Sequence, residues 1–281
     1  LKHYIFPILL FFVSAASYGQ FFDDFSDGDF TNSPAWQGET DSFQVSTALM
    51  LQSKGDSTKS GELYLAIPNT MINTTTWQFL IRLDFQPSSA NKARIFLVSD
   101  SLNLAGPLNG YFIQIGETGT TDSIDFFIKT GATETKLGTG ISGCFSGTST
   151  NLVRIRVSRD NSGNWDISSD CAGGYNFTTE LNTTENSHAS TNFFGVFCDH
   201  TSTRWDLFYF DDIYVGGPIA DTIPPALDSS SVLSATQLDL FFSDDLDQIT
   251  AETELNYTVN GAIGNPDLAI IDPADSSLIH L

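Results

Sequence analysis

Basic residues are scarce in this sequence. Its 281 residues include 12 Lys and Arg against 34 Asp and Glu, a formal net charge of −22. Phosphate backbones and anionic headgroups are held by clustered cations, so nucleic acid and an acidic membrane surface are poor partners for this chain. Cysteine (3), methionine (2) and histidine (4) are also few, and no Cys-x-x-Cys or similar spacing points to zinc. No stretch of ten residues has helical periodicity, which argues against helical and α/β folds. No fixed-period repeat is present, which argues against a propeller or solenoid. Catalytic patterns are missing as well. A jelly-roll glycosidase sets paired carboxylates at alternate strand positions, as in Glu-x-Asp-x-x-Glu, so that both reach one face; no such run occurs. His188 and His200 lie outside any Gly-x-Ser-x-Gly motif. The chain is read as having no enzymatic activity.

What is present is β-forming. Hydrophobic residues make up 41%, with 23 Phe, enough apolar surface to order a core. Leu152 to Arg159 alternates aliphatic with Arg or Ser, the period of a half-buried strand. Similar runs cover 77–85 and 93–98, and further strands are expected at 43–52, 62–67, 110–116, 123–129, 134–138, 164–168, 193–198 and 205–215. Turn formers separate them, including Gly106-Pro107, Asn109-Gly110 and Gly173-Gly174. A dozen strands without a helix imply two packed antiparallel sheets or a barrel.

The ends have other characters. Lys2 and His3 precede an apolar run from Tyr4 to Val13 and then small residues up to Gly19. That is a signal peptide over 1–19, cleaved before Gln20; the run is half the length of a membrane span, so no transmembrane segment is expected in the mature chain. The first domain is expected over 20–217. Gly216-Gly217-Pro218 and Pro224-Pro225 mark a linker over 218–225. The remainder, 226–281, contains no Lys or Arg. It is shorter than the roughly 100 residues of an immunoglobulin sandwich, so a partial Ig-like domain of a longer, multidomain protein is expected.

Phe22-Asp23-Asp24-Phe25-Ser26-Asp27-Gly28, Arg154 to Arg159 with Gly163-Asn164-Trp165, and the closing Phe208-Tyr209-Phe210-Asp211-Asp212-Ile213 carry a resemblance. Together they resemble the N-terminal concanavalin A-like (laminin-G-like) jelly-roll domain of secreted, often lamin-tail-containing, multidomain bacterial surface proteins. Phe241 to Asp247 with Asn256-Tyr257-Thr258-Val259 resembles the opening of a bacterial Ig-like module. The resemblance implies a jelly-roll sandwich followed by a truncated Ig-like sandwich, and it names no ligand.

Three sets of candidate residues follow. Asp23, Asp24 and Asp27 near the start and Asp211 and Asp212 near the end would meet if the first and last strands pair. Hard oxygen donors of this kind suit a structural Ca²⁺; the competing reading is acidic turns capping their own backbone. Strand alternation would put Asp211 and Asp212 on opposite faces. Trp36, Tyr64, Tyr111 and Tyr175 lie near turns and are candidate sugar-stacking residues, against the competing reading that they are core. Of three cysteines in an exported chain one must be left over; Cys171 and Cys198 close two strands and are the preferred disulfide over the other two pairings. The function expected is a secreted or cell-surface, non-catalytic module that binds glycan or another surface component. The alternatives are a structural spacer or adhesin stalk, and an accessory region of a secreted hydrolase.

Overall fold

The computed structural model describes residues 19–281 apart from 120, 121, 142, 148, 221–223 and 262. The expected signal peptide lies outside the described residues except for Gly19. The chain parts into two compact units, one ending at Ile219 and the other running from Ala220 to Leu281.

In chain order the first unit contains β1 (Phe21–Asp23), β2 (Gln37–Gly38), β3 (Phe43–Val45), β4 (Leu51–Ser53), β5 (Gly61–Pro68), β6 (Thr75–Leu83), β7 (Lys92–Ser99), β8 (Leu108–Ile115), β9 (Ile124–Gly131), β10 (Thr133–Thr139), β11 (Asn151–Arg159), β12 (Asn164–Asp170), β13 (Thr178–Thr184), β14 (Phe193–His200) and β15 (Phe208–Gly216). One sheet has the order β13-β12-β11-β6-β15-β4-β3, with β1 also on β15; the other has the order β10-β9-β8-β7-β14-β5-β2. Neighbours in both sheets are antiparallel. The unit is an all-β, two-sheet jelly-roll sandwich.

Period-two alternation builds it. β6 turns Trp77, Phe79, Ile81 and Leu83 inward, and β11 turns Val153, Ile155 and Val157 inward. They meet Leu65, Ile95, Ile113, Phe126 and Val196 from the second sheet in one continuous core. Each such side chain stabilises the fold by roughly 1.5–3 kcal/mol relative to exposure. The two outer faces differ. On the β8-containing sheet Ala66, Phe96, Phe112 and Phe197 form a second buried cluster with Leu104 and Leu108. On the β11-containing sheet the outward residues include Arg154, Arg156, Ser158 and Asp166.

Several local expectations need correction. The segment 43–52 is two strands, because Ser46 to Met50 forms a tight turn with Leu49 at φ 59°. Asn109-Gly110 is no turn and lies inside β8. Gly110 is there because a Cβ would collide with the Val98 carbonyl across a β-bulge. β13 had no expectation at all.

The second unit contains β16 (Leu227–Ser234), β17 (Gln237–Phe242), a helical turn at Gln248–Ala251, β18 (Ile270–Asp272) and β19 (Asp275–His280). They form a single antiparallel sheet, β16-β17-β19-β18, over a small core of Leu240, Ala251, Ala269 and Ile279. Among the described residues no second sheet faces it. No helix among the described residues is long and apolar enough to cross a membrane.

Candidate functional site

The outer face of the β11-containing sheet carries two features side by side. The first is a ladder of arginines under aromatic rings. Arg154 and Arg156 point outward from β11, and the segment after β12 folds back over them. The Arg154 guanidinium lies 4.3 Å from the Tyr175 ring centroid and that of Arg156 lies 3.9 Å from Phe177. Arg82 from β6 lies similarly, 4.7 Å from Tyr209. The fold-back is held in three ways. The Asp170 carboxylate accepts the Ala172 N–H at 2.7 Å and the Asn176 N–H at 2.9 Å. Gly173, at φ 75°, turns the chain where a Cβ would come within 2.9 Å of Leu152. Cys171 is bonded to Cys144, with Cα atoms 5.0 Å apart.

The second feature is a groove of about 510 Å³ lined by Ser158, Asp160, Asn164, Trp165, Asp166, Asn182, Thr183 and Thr184. Its centre is a row across three strands, since Ser158 of β11 pairs with Asp166 of β12 and Asp166 pairs with Asn182 of β13. Neighbouring strands are about 4.8 Å apart, so the row spans roughly 10 Å. The rim residues are committed to one another. The Asp160 carboxylate accepts the Asn164 N–H at 2.9 Å and its Nδ2 at 2.8 Å, and Asn164 Oδ1 accepts the Thr184 hydroxyl at 2.8 Å. Those bonds, the Asn164 N–H foremost, hold the Asp160 carboxyl below its ordinary range. The side chains of Ser158, Asp166 and Asn182 have no hydrogen-bond partner among the described residues. Partial burial alone pushes the Asp166 carboxyl up.

The sequence-based candidates scatter over the molecule. Tyr175 stands on this face and is 65% exposed. Trp36 and Tyr111 are corrected to core residues, at 3% and 0% exposure. Trp36 Nε1 donates to Asp23 Oδ2 at 2.8 Å. Tyr111 shares the inward parity of Ile113 and Ile115, and its ring packs 4.9 Å from Trp165. Tyr64 is part-buried beside the second apolar cluster, on the other sheet. The expected Cys171–Cys198 bond is also corrected. Cys198 sits on β14 in the opposite sheet, buried in the core, and is a free thiol. Packed sheets lie about 10 Å apart, beyond the reach of a disulfide. Cys144, in the loop before β11, is the partner instead.

The acidic residues behave more locally than the calcium expectation requires. β1 does pair with β15, with Asp23 opposite Ile213. Asp23 spends both oxygens on Phe25 N–H and Trp36; Asp24 accepts Ser26 N–H and Asp27 accepts Asp29 N–H. Among the described residues no three His, Cys, Asp or Glu side chains gather where they could hold a metal. Asp211 and Asp212 are not on opposite faces. A bulge between Asp211 and Tyr214, with Asp212 at φ 48°, keeps both out of the core while Phe210 and Ile213 point in. Asp212 then pairs with Arg154 at 2.7 Å.

Burial, with repulsion from Asp212 and Asp24, raises the Asp211 carboxyl from 3.8 to about 7. The folded state therefore holds this proton more tightly than the unfolded chain. The favourable contribution is complete below pH 4, falls as pH rises towards 7 and is gone above it. Asp211→Asn is expected to stabilise the protein at pH 8 by about 1–2 kcal/mol, after discounting for solvent screening, and to change little at pH 4. Melting temperatures of both proteins across this range, in chelator, check it; a mutant gain that does not grow with pH counts against it.

No family model matches the sequence, and no curated protein matches it. Solved structures do. The exoplasmic/lumenal domain of VIP36, in a Ca²⁺/Man2-bound form, matches with a TM-score of 0.54 at 11% identity, covering 74% of this chain and 90% of that one. Its metal-free form gives 0.52 at 11%, covering 73% and 93%. The carbohydrate recognition domain of Emp47p gives 0.53 at 11%, covering 73% and 97%. At this identity the likeness is one of fold. What the first unit shares with them is the all-β, two-sheet jelly-roll sandwich.

Proposed function

We propose that this chain is a non-catalytic, exported glycan-binding module whose site is the groove on the β11-containing sheet together with Tyr175, further along the same face. The observation that carries this reading is the row Ser158, Asp166 and Asn182: a hydroxyl, a carboxylate and a carboxamide, uncommitted inside the protein and fixed on rigid strands. Sugars present closely spaced hydroxyls, each both donor and acceptor, and such a row meets them without first breaking internal bonds. Tyr175 adds an exposed ring beside polar groups, the usual make-up of a small-molecule site. The amino-terminal pattern and a disulfide support an oxidising, extracellular compartment.

A broad glycan array probed with the full-length protein tests the proposal. Binding is expected, and Asn182→Ala should weaken it by roughly tenfold, the worth of one or two hydrogen bonds. Silence across the array would leave the spacer or stalk reading as the better one. A structural calcium ion at Asp23, Asp24, Asp27, Asp211 and Asp212 is a separate proposal, supported by the pairing of β1 with β15. A melting temperature unchanged by chelator would remove it.

A further inference from the structure

We infer that the groove prefers glycans bearing a free amine over their N-acetylated and acidic counterparts, a deepening that rests on the glycan reading above. The lining contains two carboxylates, Asp160 and Asp166, and no Lys, Arg or His. Asp160 is spent on its own turn. Asp166, in the middle of the uncommitted row, is not. The nearest arginines on the same strand are engaged elsewhere. Arg156 gives its Nε to Gln78 Oε1 at 3.0 Å and lies against Phe177. Arg159 is buried, lies 5.4 Å from the Trp165 ring centroid, and gives hydrogen bonds to Asn73 and Asn186. The groove thus holds an ionisable acceptor with no internal cation paired to it.

An ammonium group on a sugar supplies the missing partner: three donors and one positive charge, in a charge-assisted bond stronger than a neutral one. N-acetylation removes the charge and leaves a single N–H donor. A uronic acid would bring a third carboxylate to a groove that already has two, in a chain of net charge −22.

The test is calorimetric titration of the full-length protein with three β-1,4-linked tetrasaccharides: glucosamine, N-acetylglucosamine and glucose. The glucosamine tetramer is expected to bind roughly tenfold more tightly than the acetylated one, with an advantage that shrinks as salt is raised. Asp166→Asn should bring that ratio to about one. The substitution is isosteric and breaks no internal bond, so the fold survives it. A preference that persists in Asp166→Asn would come from the diffuse charge of the whole chain and overturns the inference. Binding of the glucose and glucosamine tetramers with equal affinity overturns it too while leaving glycan binding intact. Failure of all three, with a silent array, removes both.

Discussion

Replacing Cys144 and Cys171 with serine should cost the first unit about 3.5 kcal/mol of stability. The bond closes a loop of sequence separation 27, and the chain-entropy argument for a loop of that length gives this figure. For a protein of this size the melting temperature should fall by roughly 7–14 °C. The bond also fixes the start of the segment that lays Tyr175 on Arg154 and Phe177 on Arg156. If the proposed glycan site is right, its affinity should therefore fall with stability, even at temperatures where the mutant remains folded. Non-reducing peptide mapping should recover 144 linked to 171, with Cys198 labelled only after denaturation, because burial both shields that thiol and pushes its pKa well above the ordinary range. A bond to Cys198, or an unchanged melt in the double mutant, would refute the assignment.

Trp165→Ala should have an effect of comparable size, about 3–5 kcal/mol. Trp165 is fully buried and stacks on Trp77 with ring centroids 5.6 Å apart and planes 19° from parallel. Tyr111 and Phe126 close on it at 4.9 and 5.0 Å. Its Nε1 donates to the Glu185 carbonyl at 2.9 Å, which ties β12 to the segment after β13. Alanine leaves a large cavity and an unpaired carbonyl at once. Urea unfolding followed by fluorescence should show a lower midpoint with an unchanged slope. Because Trp165 immediately precedes Asp166 on β12, binding at the proposed groove should weaken in parallel. A loss below about 1 kcal/mol would mean that the site collapses around the gap, and that the stack contributes little.

Amino-acid order determined the all-β class, the antiparallel pairing and most strand positions, because a half-buried strand must alternate. Leu152 to Arg159 shows that alternation residue by residue, and β11 occupies Asn151–Arg159. The meeting of the opening and closing strands followed from the jelly-roll fold rather than from alternation, and β1 does pair with β15.

The proposed site was not legible, again for a physical reason. Asn182 sits on β13, Thr-Thr-Glu-Leu-Asn-Thr-Thr, a strand with almost no apolar alternation because its outer face is wet and its ladder with β12 supplies the order. Ser158, Asp166 and Asn182 lie 8 and 16 residues apart along the chain, so only sheet register sets them in one row. Tyr111 and Trp36 looked like rim aromatics because turn-forming residues stand near them, and packing took both into the core. One extra residue in β15 put Asp211 and Asp212 on the same outer face, which strand parity alone would forbid. The cysteine pairing turned on which sheet each thiol faces. Local alternation is a property of neighbours in sequence; register, bulges and sheet membership arise from long-range pairing, and they decided what this surface presents to a ligand.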